Sequence, residues 1–325
     1  MLKSGRWPAV LACTFAVIVV LTGCNRSNVP NQNTRTTKVP HVALIMKSLS
    51  NEFFKTMEDG AKAHHKQHAS EYQLTVNGIK DELDVSKQVE LVERMVAQGV
   101  DAIVIAPADS KALVNVCKKA ADAGIVVVNI DNRFDSGALK DSGLTAPFVG
   151  PNNRAGAKKV GDVLAKKLKP GDSVAILEGA PNSFNGVERK LGFEDAMKAS
   201  GIKVVTSQSA YWETDKANEM ARNIITSHPD IKALLCANDS MALGAVRAVE
   251  EAGKAGQIAV VGYDNIQAVN EYVKDGGILA TADQHADRLA VYGIEYALKM
   301  VKGEKDVSDK ETPVDLVTAS GQTAQ

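Results

Sequence analysis

The chain has 325 residues, 45% of them hydrophobic, and carries 38 Lys and Arg against 39 Asp and Glu for a net charge of −1. That balance, without any basic block, excludes the electrostatic footprint of a nucleic-acid binder. Its 4 cysteines are spaced too irregularly for a zinc site or a disulfide framework.

The first element is an address. Lys3 and Arg6 precede an apolar run over residues 8–21, and Leu21-Thr22-Gly23-Cys24 closes it with small residues. A basic start, a short apolar core and a small-residue end predict a secretory signal, too short for a comfortable membrane span. The ending resembles a bacterial lipobox, which implies cleavage before Cys24 and a lipid on its sulfur. Residues 1–23 are therefore expected to be a lipoprotein signal peptide. Residues 24–37, rich in Asn, Thr and Ser, are expected to be a flexible tether to the outer face of a membrane.

Strands and helices then alternate. Residues 42–46 form an apolar run, and the helix after it sets Phe54, Met57 and Ala61 on one face. Residues 74–76 read as a second strand. Val85, Val89, Val92 and Val96 follow at helical spacing, stopped by Gly99. Residues 102–106 and 125–130 are continuous apolar strands, as in a parallel sheet covered on both faces. Cys117 falls in a helix and Cys236 in a strand, both as small buried hydrophobes. His64, His65 and His68 place two imidazoles one helical turn apart but have no evident third partner, so no metal is expected there.

The same order returns at a nearly constant offset. Val42-Ala43-Leu44-Ile45 is echoed 132 positions on by Val174-Ala175-Ile176-Leu177, and Gly60 by Gly192. Asp109-Ser110-Lys111-Ala112-Leu113 is echoed 130 on by Asp239-Ser240-Met241-Ala242-Leu243, and residues 125–131 are echoed 133 on by residues 258–264. Four matches in order predict two similar Rossmann-like αβα domains. In such sheets ligands bind beyond the carboxyl ends of the strands. Two domains facing one another across a cleft then require polar residues after equivalent strands in both halves.

Those residues are present. Lys47, Asn51, Phe53 and Phe54 follow the first strand, and Asp131, Asn132 and Arg133 a later one. The second half supplies Glu178, Arg189, Trp212, Asn238, Asp239, Tyr263, Asp264 and Gln284. Each sugar hydroxyl both donates and accepts, so Asp, Asn, Arg and Lys suit it. Its C–H faces are buried by flat aromatic rings, which are scarce in this chain.

In sequence order, Lys47-Ser-Leu-Ser-Asn51-Glu-Phe53-Phe54, the Val-Asn-Ile-Asp131 strand end, Val187-Glu188-Arg189, Ala210-Tyr-Trp212, Cys236-Ala-Asn238-Asp239-Ser-Met-Ala-Leu-Gly244, Val-Gly-Tyr-Asp264 and Ala-Asp-Gln284 resemble periplasmic ribose- and allose-binding proteins. The resemblance runs from about residue 39 to 317. It implies a type I binding-protein fold, with domains at 38–151 plus 285–314 and at 152–284 plus 315–325. Three hinge crossings are implied near Pro151-Asn152, Gln284-His285 and Pro313-Asp315. It also implies sugar contacts from Lys47, Asn51, Phe53, Phe54, Asp131, Arg189, Trp212, Asn238, Asp264 and Gln284, with Phe54 and Trp212 sandwiching the ring. Ribose binders have a small hydroxyl residue in place of Lys47 and an Arg in place of Asn132. Lys47 and Trp212 are closer to the allose pattern, whereas Asn132-Arg133 fits neither.

The function implied is monosaccharide capture for the permease of an ABC importer, by an extracytoplasmic, lipid-anchored monomer that needs no cofactor. There is no Gly-x-x-x-x-Gly-Lys-Ser/Thr loop, so the importer's ATPase is expected elsewhere. A sensor presenting a sugar or furanosyl signal to a membrane receptor is the alternative. A repressor's effector domain would need a helix-turn-helix where residues 1–37 stand. A glycosidase using Asp131 and Asp264 as its carboxylate pair fits the surrounding Asn, Arg and Lys less well than a binder.

Overall fold

The computed structural model describes residues 39–304 and 308–323; the signal, the Cys24 lipidation site and the tether lie outside the described residues. The apolar runs fold as strands covered on both faces. In the first half β1 (His41–Ser48), β2 (Gln73–Ile79), β3 (Ala102–Ile105), β4 (Val126–Ile130) and β5 (Phe148–Pro151) alternate with α1 (Glu52–Gln67), α2 (Val85–Ala97), α3 (Val114–Asp122) and α4 (Ser136–Ser142). These strands are parallel, in the order β2-β1-β3-β4-β5. Central β3 is buried throughout, whereas β2, at the sheet edge, is mostly half-buried.

The second half repeats the plan. After α5 (Asn153–Ala165) come β6 (Ser173–Glu178), α6 (Phe184–Ala199), β7 (Lys203–Ser209), α7 (Thr214–Ser227), β8 (Ala233–Cys236), α8 (Asp239–Glu251), β9 (Ala259–Val261), α9 (Asn270–Asp275) and β10 (Ala280–Asp283). The parallel order β7-β6-β8-β9 matches the first sheet strand for strand. β10 lies at the free edge of β9, where Leu279 N donates to Val260 O and Gly262 N to Ala280 O. The chain closes with α10 (Ala286–Val301), β11 (Lys310–Thr312), β12 (Asp315–Thr318) and β13 (Gly321–Thr323).

The lobes exchange chain three times. α5 leaves β5 to pack on α6 and β10, and α10 leaves β10 to pack on α1, β3 and β4. β11 then extends the first sheet beside β5, while β12 pairs with β10. His285 lies at the second crossing with φ 54°; its N–H donates to Asp283 Oδ1 at 2.8 Å, and its Nε2 lies 3.0 Å from Asp315 Oδ2 at the third. Two crossings are thereby tied together.

The repeated glycines have a packing reason. A Cβ on Gly60 in α1 would lie 2.0 Å from the carbonyl oxygen of Asp287 in α10, and one on Gly192 in α6 would lie 2.2 Å from that of Arg154 in α5. Each lobe brings one helix pair to backbone contact at the same place. Cys117 and Cys236 are buried free thiols, as expected. His64 contacts the Tyr72 hydroxyl and stacks on His68, and no metal-type cluster of His, Cys, Asp or Glu occurs among the described residues.

Candidate ligand-binding site

The carboxyl ends of both sheets face one small cavity. All ten residues singled out in the sequence line it: Lys47, Asn51, Phe53, Phe54 and Asp131 from one lobe, Arg189, Trp212, Asn238 and Asp264 from the other, and Gln284 at a crossing. Asn51 is half-buried and the other nine are buried. The lobes are closed on one another.

Local structure sets each side chain. Asn51 caps α1, its Oδ1 accepting from Phe53 N at 3.0 Å, and Asn238 caps α8 by accepting from Met241 N at 2.9 Å. A helix cap thus anchors both asparagines at their oxygens. Phe53 and Phe54 meet edge to face and both line the cavity. Asp131 and Asp264 end β4 and the extension of β9 with φ of 60° and 117°. That region is sparsely populated outside glycine and concentrates at functional sites. Trp212 has φ 71°, and its indole lies flat on Gly179, where a Cβ would fall 2.0 Å from the ring.

The charges are paired but not exhausted. Lys47 Nζ lies 3.4 Å from Asp131 Oδ2 and 3.8 Å from Glu82 Oε2, within 5.8 Å of the centroids of both Phe54 and Trp212. Arg189 donates from Nε to Asn153 Oδ1 at 2.8 Å and from Nη1 to Ala237 O at 2.9 Å and Asp264 Oδ1 at 3.1 Å. Its guanidinium stacks on Tyr263, and Gln284 Nε2 donates to the same Asp264 oxygen at 2.7 Å. Burial pushes the Asp264 carboxyl up to about 7, with Arg189 opposing the rise and Asp131 adding to it. Burial likewise pushes Glu82 up to about 7, with Lys47 opposing. Asp131 Oδ2, Asn185 Oδ1 and Gln284 Oε1 are buried without hydrogen-bond partners. Asn185 Oδ1 and Gln284 Oε1 are thus orphaned and Asp131 Oδ2 has only its Lys47 ion pair; buried acceptors left so are costly and mark where a donor-rich ligand fits.

Two lining residues, Glu82 and Asn185, escaped the sequence reading. The repeat held the signal for both: Glu82 stands 130 positions before Trp212, and Asn185 stands 132 after Phe53. Other strand-end candidates face elsewhere. Arg133 pairs with Asp309 and covers Phe148, and Glu178 pairs with Lys190. Asn132 is held by Pro107 and Ser110, and Asp239 accepts from Thr281 and Ile266 N.

Two αβα lobes joined by three crossings, closed on a small polar cavity at their strand ends, define a type I binding protein of the periplasmic kind. The chain belongs to the periplasmic binding protein family, since residues 42–305 match its periplasmic binding protein domain. It is 57% identical over 307 residues to the D-ribose/D-allose-binding protein of Pseudomonas aeruginosa, covering 93% of this chain and 96% of the relative. An ABC transporter solute-binding protein from Burkholderia multivorans is 58% identical, with a TM-score of 0.84 over 86% of this chain and 99% of its own. An ABC transporter periplasmic solute-binding protein from Actinobacillus succinogenes, solved with bound D-allose, is 40% identical, with a TM-score of 0.82 over 86% of this chain and 98% of its own. With that family and those relatives, the chain is a binding protein and not an enzyme.

Proposed function

We propose that this protein is the solute-binding lipoprotein of an ABC sugar importer, taking up a ribose- or allose-like aldose between its lobes and delivering it to the permease. The observation that carries this reading is the closed polar cavity, with buried acceptors lacking donors on both lobes and aromatic rings from each. Asp131, Asn185, Gln284 and Asp264 would accept from sugar hydroxyls; Lys47, Asn51, Arg189 and Asn238 would donate. Phe53, Phe54 and Trp212 would cover the C–H faces. The relative named for D-ribose and D-allose and the homologue holding D-allose support this class of ligand.

The mechanism is a population shift. Residues 38–151 plus 285–314 and residues 152–284 plus 315–325 move as two bodies about the three crossings. A sugar touching both walls stabilises the closed form by the contacts that only closure makes. The closed protein then docks on the permease, held near the outer face of the membrane by a lipid on Cys24.

Titration calorimetry with D-allose, D-ribose and a panel of other monosaccharides tests the substrate. At least one aldose should bind, and Asp131→Ala or Asp264→Ala should weaken it by about 2–5 kcal/mol, as for truncated buried charge partners. Failure of the whole panel would remove the sugar from the proposal. For the anchor, Cys24→Ala should release the protein from the membrane fraction; unchanged fractionation would refute lipidation.

A further inference from the structure

The face that closes the cleft carries hydrogen bonds that do not involve the cavity. Helix α6 of the second lobe begins at Phe184, yet its N-cap, Ser183, does not cap it. The Ser183 hydroxyl donates backward to Ala180 O at 2.7 Å. The first amides of the helix are satisfied from the other lobe instead. Phe184 N donates to Ser110 Oγ at 3.0 Å, and Asn185 N to Asn132 Oδ1 at 3.1 Å. Ser110 N donates to Asn182 O at 3.1 Å, and Asn182 Nδ2 to Asp109 Oδ2 at 2.7 Å. A second contact of the same chemistry starts beside Asn51. The Glu52 carboxylate accepts from Gln267 N at 2.7 Å and from Ala268 N at 3.3 Å, both in the second lobe.

We infer that the Ser110–Asn132 pair and Glu52 form a two-point latch that caps backbone amides of the second lobe only on closure. It sets how long the cleft stays shut, independently of which sugar lies inside. Helix amides without an internal partner are satisfied by a side-chain cap or by water. Opening returns these amides to water, and closure exchanges water for hydroxyl, amide and carboxylate oxygens. Asn132 is itself held by Pro107 O and Ser110 Oγ, so it needs little ordering to receive Asn185 N. The contact also fixes the backbone of Asn185, whose side chain lines the cavity. Asn132 and Ser110 are thus positioning residues, acting on the ligand through Asn185. Glu52 stands next to Asn51 and Phe53, on the opposite wall of the cavity.

The latch rests on the reading of the protein as a closing binder, and the test separates the two. Ser110→Ala and Glu52→Ala remove no residue that lines the cavity. In the full chain, stopped-flow Trp212 fluorescence with D-allose and D-ribose should show dissociation accelerated about five- to tenfold by each, the size of a lost helix cap. Association should stay within about twofold, and the double variant should multiply the single effects, because the contacts share no partner. Hydrogen exchange of the sugar-free protein gives a readout that needs no ligand. The amides of Phe184 and Asn185 should exchange faster in Ser110→Ala, and those of Gln267 and Ala268 in Glu52→Ala, with amides elsewhere in the lobes unchanged. Unaltered dissociation together with unaltered exchange at these four amides overturns the latch. Wild-type protein binding no sugar, with exchange still responding to the variants, leaves the latch standing and removes the substrate.

Discussion

Asp264 shows what burial does to a carboxylate that lines a closed cleft. It shares one oxygen between Arg189 Nη1 and Gln284 Nε2, and burial still raises its carboxyl to about 7. Glu82 is raised similarly, from an ordinary value of 4.5. Between their ordinary values and about 7, both groups hold protons in the closed protein that the unfolded chain has released. Stability of the closed, sugar-free form therefore falls as pH rises through that window. The urea midpoint should be higher at about pH 5 than at about pH 8, and Glu82→Gln with Asp264→Asn should flatten the difference. A sugar hydroxyl donating to the carboxylate favours its charged form, so saturating sugar should flatten it too. At this scale the sequence was legible where strand-end position and side-chain chemistry agreed, as at Asp131 and Asp264. It was less so at Glu82, because an acidic residue after an edge strand looks like any solvated loop. Only the tertiary approach of Lys47 and Asn51 gives that carboxylate its partners.

Trp212 also depends on a neighbour with no side chain. Its indole occupies the space that a Cβ on Gly179 would need. Gly179→Ala should displace the ring and cost roughly 1–3 kcal/mol by overpacking, measured as a lower unfolding midpoint together with weaker sugar affinity.

Among elements, the helix pairs α1–α10 and α5–α6 carry the repeat into three dimensions. Gly60 and Gly192 allow the same close approach in each lobe, against Asp287 and Arg154. Gly60→Ala should force α1 from α10, and Gly192→Ala α6 from α5, each costing roughly 1–3 kcal/mol. Hydrogen exchange should localise the loosening to the lobe that carries the substitution. The strands were legible because central positions of a parallel sheet must be apolar on both faces. The edge strands were less so: the expected run at 74–76 is part of the longer β2, whose half-buried residues carry a weaker pattern. The helix assignments placed Asn51 and Asn238 near strand ends but did not reveal that they cap helices.

For the whole molecule, closure joins lobes whose chains cross three times. Trp7 falls in the expected signal peptide, which leaves Trp212 as the reporter in the binding domains. Its ring lies 5.6 Å from both the Lys47 ammonium and the Arg189 guanidinium, one from each lobe. Sugar binding should therefore change its fluorescence, and Lys47→Met should reduce that change; an unchanged signal at saturating sugar would mean that the ring's surroundings do not alter on closure.

The sequence by itself determined the two αβα domains, their repeat and the polar and aromatic residues at the strand ends, because apolar periodicity and residue type are local properties of the chain. It also carried the resemblance that named the ten cavity residues. Tertiary structure alone decided which polar strand-end residues share one cavity and which turn away to Asp309, Lys190 or Pro107. It also decided that Ser110, Asn132 and Glu52 complete the second lobe's backbone from across the cleft. Such contacts join residues between 53 and 216 positions apart. No local pattern encodes them, since they exist only once the two lobes meet.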